Sequence, residues 1–125
     1  MSALVDTSVL IDYLRGRADA AAVLEREVRA EQLHASEITR LEVLAGMRDS
    51  ETTPTRALLD TVLWHPVDSD VAERAGALGR RWLPSYRGID GADLAIAATA
   101  ELFECRLLTR NVRHFPMVKG LQSPY

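Results

Sequence analysis

The chain has 125 residues, 47% of them hydrophobic and 26% charged, which is ordinary for a globular protein and enough to bury a core. Fifteen basic residues against 18 acidic ones leave a net charge of −3, so bulk charge offers nucleic acid no general attraction. Cys105 is the only cysteine, which excludes an intrachain disulfide, and no run approaches about 18 consecutive apolar residues, so no membrane span is expected.

These features predict one domain over residues 1–125, in the cytoplasm. Phe103, Leu107 and Leu108 surround Cys105 in sequence and mark it as a buried structural thiol. The basic residues are 14 arginines and Lys119, a bias that fits either genome composition or phosphate binding by the guanidinium fork.

Ala3-Leu4-Val5 is a short apolar run with an abrupt polar end at Asp6-Thr7-Ser8, the pattern of a buried strand. Thr7 or Ser8 is placed to cap a short helix carrying Val9, Leu10, Tyr13 and Leu14, which ends near Gly16. A second helix is predicted over Ala18 to Ala30, with Ala22, Val23 and Val28 on its inner face. Leu33-His34-Ala35 reads as a second strand, and Ser36 as the N-cap of a helix with Ile38, Leu41, Val43, Leu44 and Met47 at helical spacing.

Asp49 to Pro54 is polar and reads as a loop, followed by a helix carrying Leu58, Leu59, Val62 and Leu63. A third strand is expected over Trp64 to Val67. Asp68 or Ser69 then caps a long helix containing Val71, Ala75, Leu78 and Trp82. Pro84 to Gly88 breaks the chain, Asp90 opens an alanine-rich helix to about Phe103, and Arg106 to Thr109 reads as a last buried strand. Strands alternating with helices indicate an α/β domain with a mainly parallel sheet, whose ligands sit beyond the carboxyl ends of the strands.

Three carboxylates interrupt these apolar segments: Asp6 after the first strand, Glu42 within the third helix and Asp93 at the start of the alanine-rich helix. Burying an ionised carboxylate without a partner is costly. Three such positions point to a shared cation, and an oxygen-only donor set suits Mg2+ or Mn2+. His34, His65 and His114 lack the spacing of a zinc site. Each acid also has a structural reading. Asp6 can cap the first helix, Glu42 can pair with a neighbouring arginine on an exposed face, and Asp90 with Asp93 can form a capping box.

The segments Leu4–Asp12, Ser36–Gly46, Asp93–Ala100 and Leu108–Phe115 together resemble those of a PIN-domain protein, specifically the VapC-type toxins of bacterial toxin–antitoxin pairs. They occur in the family's order and span nearly the whole chain. The resemblance implies a three-layer α/β/α domain around a short, mainly parallel sheet. It also implies a Mg2+- or Mn2+-dependent endoribonuclease that hydrolyses RNA by a metal-activated water, leaving 5′-phosphate and 3′-hydroxyl ends. Asp6, Glu42 and Asp93 would be the catalytic acids and metal ligands. Thr7, Ser8 and Thr109 would orient them, and Arg110 and Arg113 would meet the RNA backbone, with Arg15 and Arg87 as further cations. Many PIN proteins carry a fourth acid where this chain has Asn111, which supplies an oxygen without charge. The expected partners are a VapB-type antitoxin and a second copy of the chain, in a homodimer and a toxin–antitoxin hetero-oligomer.

Other classes fit less well. A haloacid-dehalogenase-like phosphatase needs a second aspartate where Ser8 stands, and no GxGxxG or GxxxxGK[ST] loop is present for a nucleotide. The alternative that remains is a catalytically silent PIN domain that binds RNA or protein.

Overall fold

The computed structural model describes residues 1–125. Strand β1 (Ala3–Val5) leads into α1 (Thr7–Leu14) and α2 (Ala18–Ala30), and β2 (Leu33–Ser36) into α3 (Glu37–Ala45) and α4 (Thr52–Leu59). Strand β3 (Val62–His65) then precedes α5 (Ser69–Trp82) and α6 (Gly91–Leu102), and β4 (Arg106–Leu108) ends the regular structure before a 3-10 turn at Val112–His114. The four strands are all parallel, in the order β3-β2-β1-β4. Leu4 pairs with His34, Val5 with Leu108 and Ser36 with His65, which puts Asp6, Ser36 and Thr109 at the carboxyl ends of their strands.

The period-two alternation of the strands sorts the core into two layers. Val5, Ala35, Val62 and Leu108 face Val9, Leu10, Val23, Leu24 and Leu58 on one side of the sheet. Leu4 and Leu107 face Val71, Leu78, Leu94 and Ile96 on the other, where Phe115 also packs. The result is the expected α/β/α arrangement. Helix α5 comes close to α6 at Gly79, where a Cβ would stand 3.1 Å from Leu94 Cδ1.

The ends of the elements show where local patterning was outweighed. The first helix is capped by Asp6, whose side chain accepts from the Thr7 N–H, and not by Thr7 or Ser8. Gly16, at φ +86°, supplies the left-handed turn into α2, in a region open to glycine at little cost. On α2 the buried residues are Ala20, Val23 and Leu24; Ala22 and Val28 face solvent. On α3, Leu41 is exposed and Thr39 is buried, and Met47 lies beyond the helix end.

The Asp49–Pro54 segment is less irregular than its composition indicates: Asp49–Glu51 is a 3-10 turn, and α4 already begins at Thr52. Pro54 lies in the first turn of α4, where a missing N–H costs no helical hydrogen bond. That helix stops at Leu59, and Thr61 Oγ1 donates to the Leu58 carbonyl at 2.7 Å as the chain turns. Val62 and Leu63 therefore belong to β3, which runs from Val62 to His65, not Trp64 to Val67. Val62 points inward and Leu63 outward, the alternation of a strand. Pro66 follows with no N–H to donate to a ladder.

Candidate active site

Asp6 sits just past β1 and is buried, 4% exposed. Its Oδ1 accepts from the Thr7 backbone N–H at 2.7 Å, and its Oδ2 from Thr109 Oγ1 at 2.7 Å and Ser8 Oγ at 3.1 Å. Three donors thus satisfy the acceptor oxygens of a carboxylate that has little access to water. Thr109, fully buried past β4, also accepts the Asn111 N–H at 2.9 Å. Ser8 Oγ likewise accepts the Arg110 N–H at 3.1 Å. The chain leaving β4 is thus stitched to the chain leaving β1 around one carboxylate.

Thr7 links the second acid to the first. Its backbone serves Asp6 while its hydroxyl donates to Glu42 Oε1 at 2.7 Å, with the Thr39 hydroxyl 3.3 Å away. Ser36 starts α3 by accepting the Ile38 N–H at 3.2 Å, and Thr39 and Glu42, three residues apart on that helix, both turn toward Thr7. Glu42 has no arginine partner; Arg40 instead pairs with Glu37 and lies over Trp64, 4.4 Å from its ring centroid.

Asp93 stands on a separate network. It closes the expected capping box: Asp90 Oδ1 accepts the Asp93 N–H at 2.8 Å, and Asp93 Oδ2 accepts the Asp90 N–H at 3.1 Å. His114 Nδ1 lies 3.1 Å from the same Oδ2. Burial pushes the Asp93 carboxyl up to about 6, and the Asp90 carboxylate adds to the rise, while the Asp90 N–H and His114 oppose it. The segment from Thr109 to His114 therefore touches Asp6 at one end and Asp93 at the other.

No three His, Cys, Asp or Glu side chains stand close enough together to ligate an ion directly. Asp6 and Glu42 meet through Thr7, and Asp93 is linked to Asp6 through the 109–114 segment. Glu42 Oε2 and Asp93 Oδ1 have no protein donor. With Asp6 they offer only oxygen donors, the donor type that suits a hard cation such as Mg2+, which keeps several of its own waters.

The cations occupy different situations. Arg110 is held by Asp12 and Tyr125, while Arg113 is exposed and makes no ion pair. Both line a polar cleft of about 350 Å3 with Asn111, Val112 and His114. Arg15 pairs with Glu51, and Arg87 lies exposed between α5 and α6. An apolar cleft of about 500 Å3, lined by Tyr13, Leu24, Val28, Leu33 and Leu58 among others, contains none of the candidate site residues. Sequence reasoning missed Thr39 and the contact of His114 with Asp93. The second had a usable signal, because His114 lies in the same short run as Thr109 and Asn111.

Comparison with known proteins places this arrangement in context. The PIN domain family model matches residues 3–121. Ribonuclease VapC19 of Mycobacterium tuberculosis is 46% identical over 123 residues, 98% of this chain and 98% of that protein. Ribonuclease VapC10 of the same species is 37% identical, over 98% of this chain and 92% of the relative. A chain of a toxin–antitoxin complex from Klebsiella pneumoniae superposes with a TM-score of 0.83 at 36% identity, covering 99% of this chain and 98% of its own. A chain of VapBC2 from Rickettsia felis, solved with a promoter DNA fragment, shares the fold with a TM-score of 0.80 at 19% identity, covering 97% of this chain and 96% of its own.

Proposed function

This chain belongs to the PIN-domain family, and on that premise we propose that it is the ribonuclease toxin of a VapBC-type toxin–antitoxin pair, acting as one PIN domain over residues 1–125. The observation that carries the reading is the carboxylate network at the carboxyl ends of β1 and β4: Asp6 held by Thr7, Ser8 and Thr109, and joined to Glu42 through Thr7. Identities of 46% and 37% to two ribonucleases, over nearly the whole chain, support the same conclusion.

In this reading Asp6, Glu42 and Asp93 hold one hydrated Mg2+ or Mn2+ ion. When bound, such an ion supplies Lewis acidity, which makes water a better nucleophile and offsets charge on the phosphodiester. Thr109 and Ser8 fix the Asp6 carboxylate, and Thr7 sets its distance from Glu42, so the acids need little reorganisation during reaction. Asn111 adds a neutral oxygen at the fourth position, leaving the site short of the charge that a second ion would need. Arg110 and Arg113 receive the RNA backbone, and the targets are loops or single strands, whose bases are accessible. The partners are a VapB-type antitoxin and a second copy of the toxin, and the compartment is the cytoplasm. No helix is long and apolar enough to cross a membrane.

Thermal melting and RNA cleavage of wild type, Asp6→Asn and Asp93→Asn, each with Mg2+, Mn2+ or EDTA, test the reading together. Metal should raise the wild-type melting point by linkage and permit cleavage, and both variants should lose both responses. Without metal Asp93→Asn should be no less stable than wild type, because burial disfavours the Asp93 charge, whereas Asp6→Asn should lose about 1 kcal/mol with the charge-assisted bonds that Asp6 accepts. A wild type that cuts RNA equally well in EDTA would refute the metal site. One that binds RNA with metal but never cuts it would be the silent form of the domain.

A further inference from the structure

Tyr125 packs against the core layer that contains α1 and α2, beside the candidate site. Its hydroxyl donates to Asp12 Oδ2 at 2.6 Å. Two guanidinium groups lie over its ring, Arg110 at 4.5 Å and Arg17 at 5.2 Å from the centroid. Burial, and then the Asp12 carboxylate, push the phenol up to about 12 against a smaller opposing pull from Arg110, so at neutral pH it remains a donor.

The two arginines differ in what is left to them. Arg17 is already bound to Asp19 through two N–H groups, at 2.7 and 3.1 Å. Arg110 reaches a carboxylate with Nη1 alone, Asp12 Oδ2 at 3.5 Å, near the limit of a useful hydrogen bond. Stacking on an aromatic ring occupies the face of a guanidinium and leaves its edge, where the N–H groups are, available to a phosphate. The backbone of Arg110 is meanwhile fixed through Ser8 to Asp6. The cleft it lines has two arginines and a histidine in its wall and no carboxylate, and His114 connects it to Asp93.

We propose that Tyr125 is a positioning residue for RNA: it holds Arg110 so that the guanidinium edge meets a substrate phosphate in the cleft lined by residues 110–114. The inference rests on the nuclease reading above. A free arginine loses rotamer freedom when it binds phosphate, and one already stacked and anchored loses less. Tyr125 would therefore act on substrate affinity and not on the chemical step.

The full chain is titrated, in EDTA at low salt, against a fluorescein-labelled single-stranded RNA 12-mer of mixed sequence, with total-RNA cleavage in Mn2+ measured alongside. Arg110→Ala should weaken binding about 10-fold and reduce the salt slope by about 0.7, the value for one phosphate on a single strand. Tyr125→Ala should weaken it about 5-fold and Tyr125→Phe about 2-fold, because the ring survives in the second. The Arg110→Ala/Tyr125→Ala double variant should bind no worse than Arg110→Ala alone, since both changes remove one interaction. In the cleavage assay Tyr125→Phe should raise KM and leave kcat unchanged. Wild-type affinity in both Tyr125 variants, tighter binding in either, or losses that add to that of Arg110→Ala would each overturn the proposal. A wild type that neither binds nor cuts RNA overturns the nuclease reading, and this inference with it.

Discussion

Replacing Thr109 by valine isolates the hydrogen bond that ties the end of β4 to Asp6. The side chain is fully buried, its hydroxyl donates to Asp6 Oδ2 at 2.7 Å, and it accepts the Asn111 N–H at 2.9 Å. Valine keeps the shape and removes both interactions. A hydrogen bond to a charged group contributes about 1.5–3 kcal/mol, and Asn111 is exposed enough for water to replace its acceptor, so the expected loss is about 2 kcal/mol. For a domain of this length that lowers Tm by roughly 6–10 °C. Asp6 keeps its bonds to Thr7 and Ser8, so the protein should still fold.

Urea titrations in EDTA, run as a double-mutant cycle with Asp6→Asn, separate this bond from a general packing defect. In the uncharged Asp6→Asn background the valine change should cost only about 1 kcal/mol, the value for a neutral hydrogen bond, giving a coupling of about 1 kcal/mol. Thr109→Ser, which restores the hydroxyl, should recover most of the loss. The apparent affinity for Mn2+, read from the Tm response, should fall about 10-fold in Thr109→Val, as expected when a group that orients a ligand is removed. Equal losses in both Asp6 backgrounds, or a serine variant as unstable as the valine one, would refute the reasoning.

Two further outcomes follow from the same geometry. Thr7→Val leaves its backbone bond to Asp6 intact but removes the hydroxyl from Glu42, so RNA cleavage should fall about 10-fold while stability drops by about 1 kcal/mol, less than at Thr109 because water reaches the half-buried Glu42; equal proportional losses in cleavage and folded fraction would contradict the bridge. The folded Asp93 carboxyl titrates near 6, above its unfolded value of about 3.9, so in EDTA the folded state binds more protons between those values and stability should fall as pH rises through that window. The difference bounds the effect at roughly 3 kcal/mol, and solvent on the cleft side reduces it to about 1–2 kcal/mol. Asp93→Asn should flatten that part of the pH–stability curve, and an unchanged curve would show that burial does not govern this group.

The sequence exposed the elements whose ends carry chemistry. Ser36, Asp68 and Asp90 each announced a helix with a side chain able to cap it, and all three accept the expected backbone N–H groups. The strands β1 and β4 were readable because they are buried on both faces, so apolar runs ending in polar residues admit few other interpretations. The region around β3 was not. Leu58, Leu59, Val62 and Leu63 can be read as one helical stripe, and only the alternation of Val62 and Leu63 across a sheet edge decides otherwise. Leu41 and Val28 misled for a related reason: apolar residues also cover surface, and periodicity alone cannot say which side of a helix meets the core.

The candidate site shows the same division between local and long-range information. Asp6, Glu42 and Asp93 could each be picked out as charges in apolar surroundings, yet each also performs the ordinary structural task available to it or finds a neutral partner. Asp6 caps α1, Asp93 closes the box at α6, and Glu42 accepts from Thr7. These roles are compatible with the proposed metal binding, because the hydrogen bonds reduce the cost of keeping the acids away from water. Capping leaves Asp93 Oδ1 without a donor, and the Thr7 bond leaves Glu42 Oε2 without one. The contacts that tie Asp6 and Asp93 to one segment come from Thr109 and His114, whose partners lie far away in sequence and cannot be read from the local Arg-Asn-Val-Arg pattern between them. A hydroxyl and an imidazole five residues apart in sequence thus each hold one carboxylate, and the link between them becomes visible only once β4 is placed beside β1.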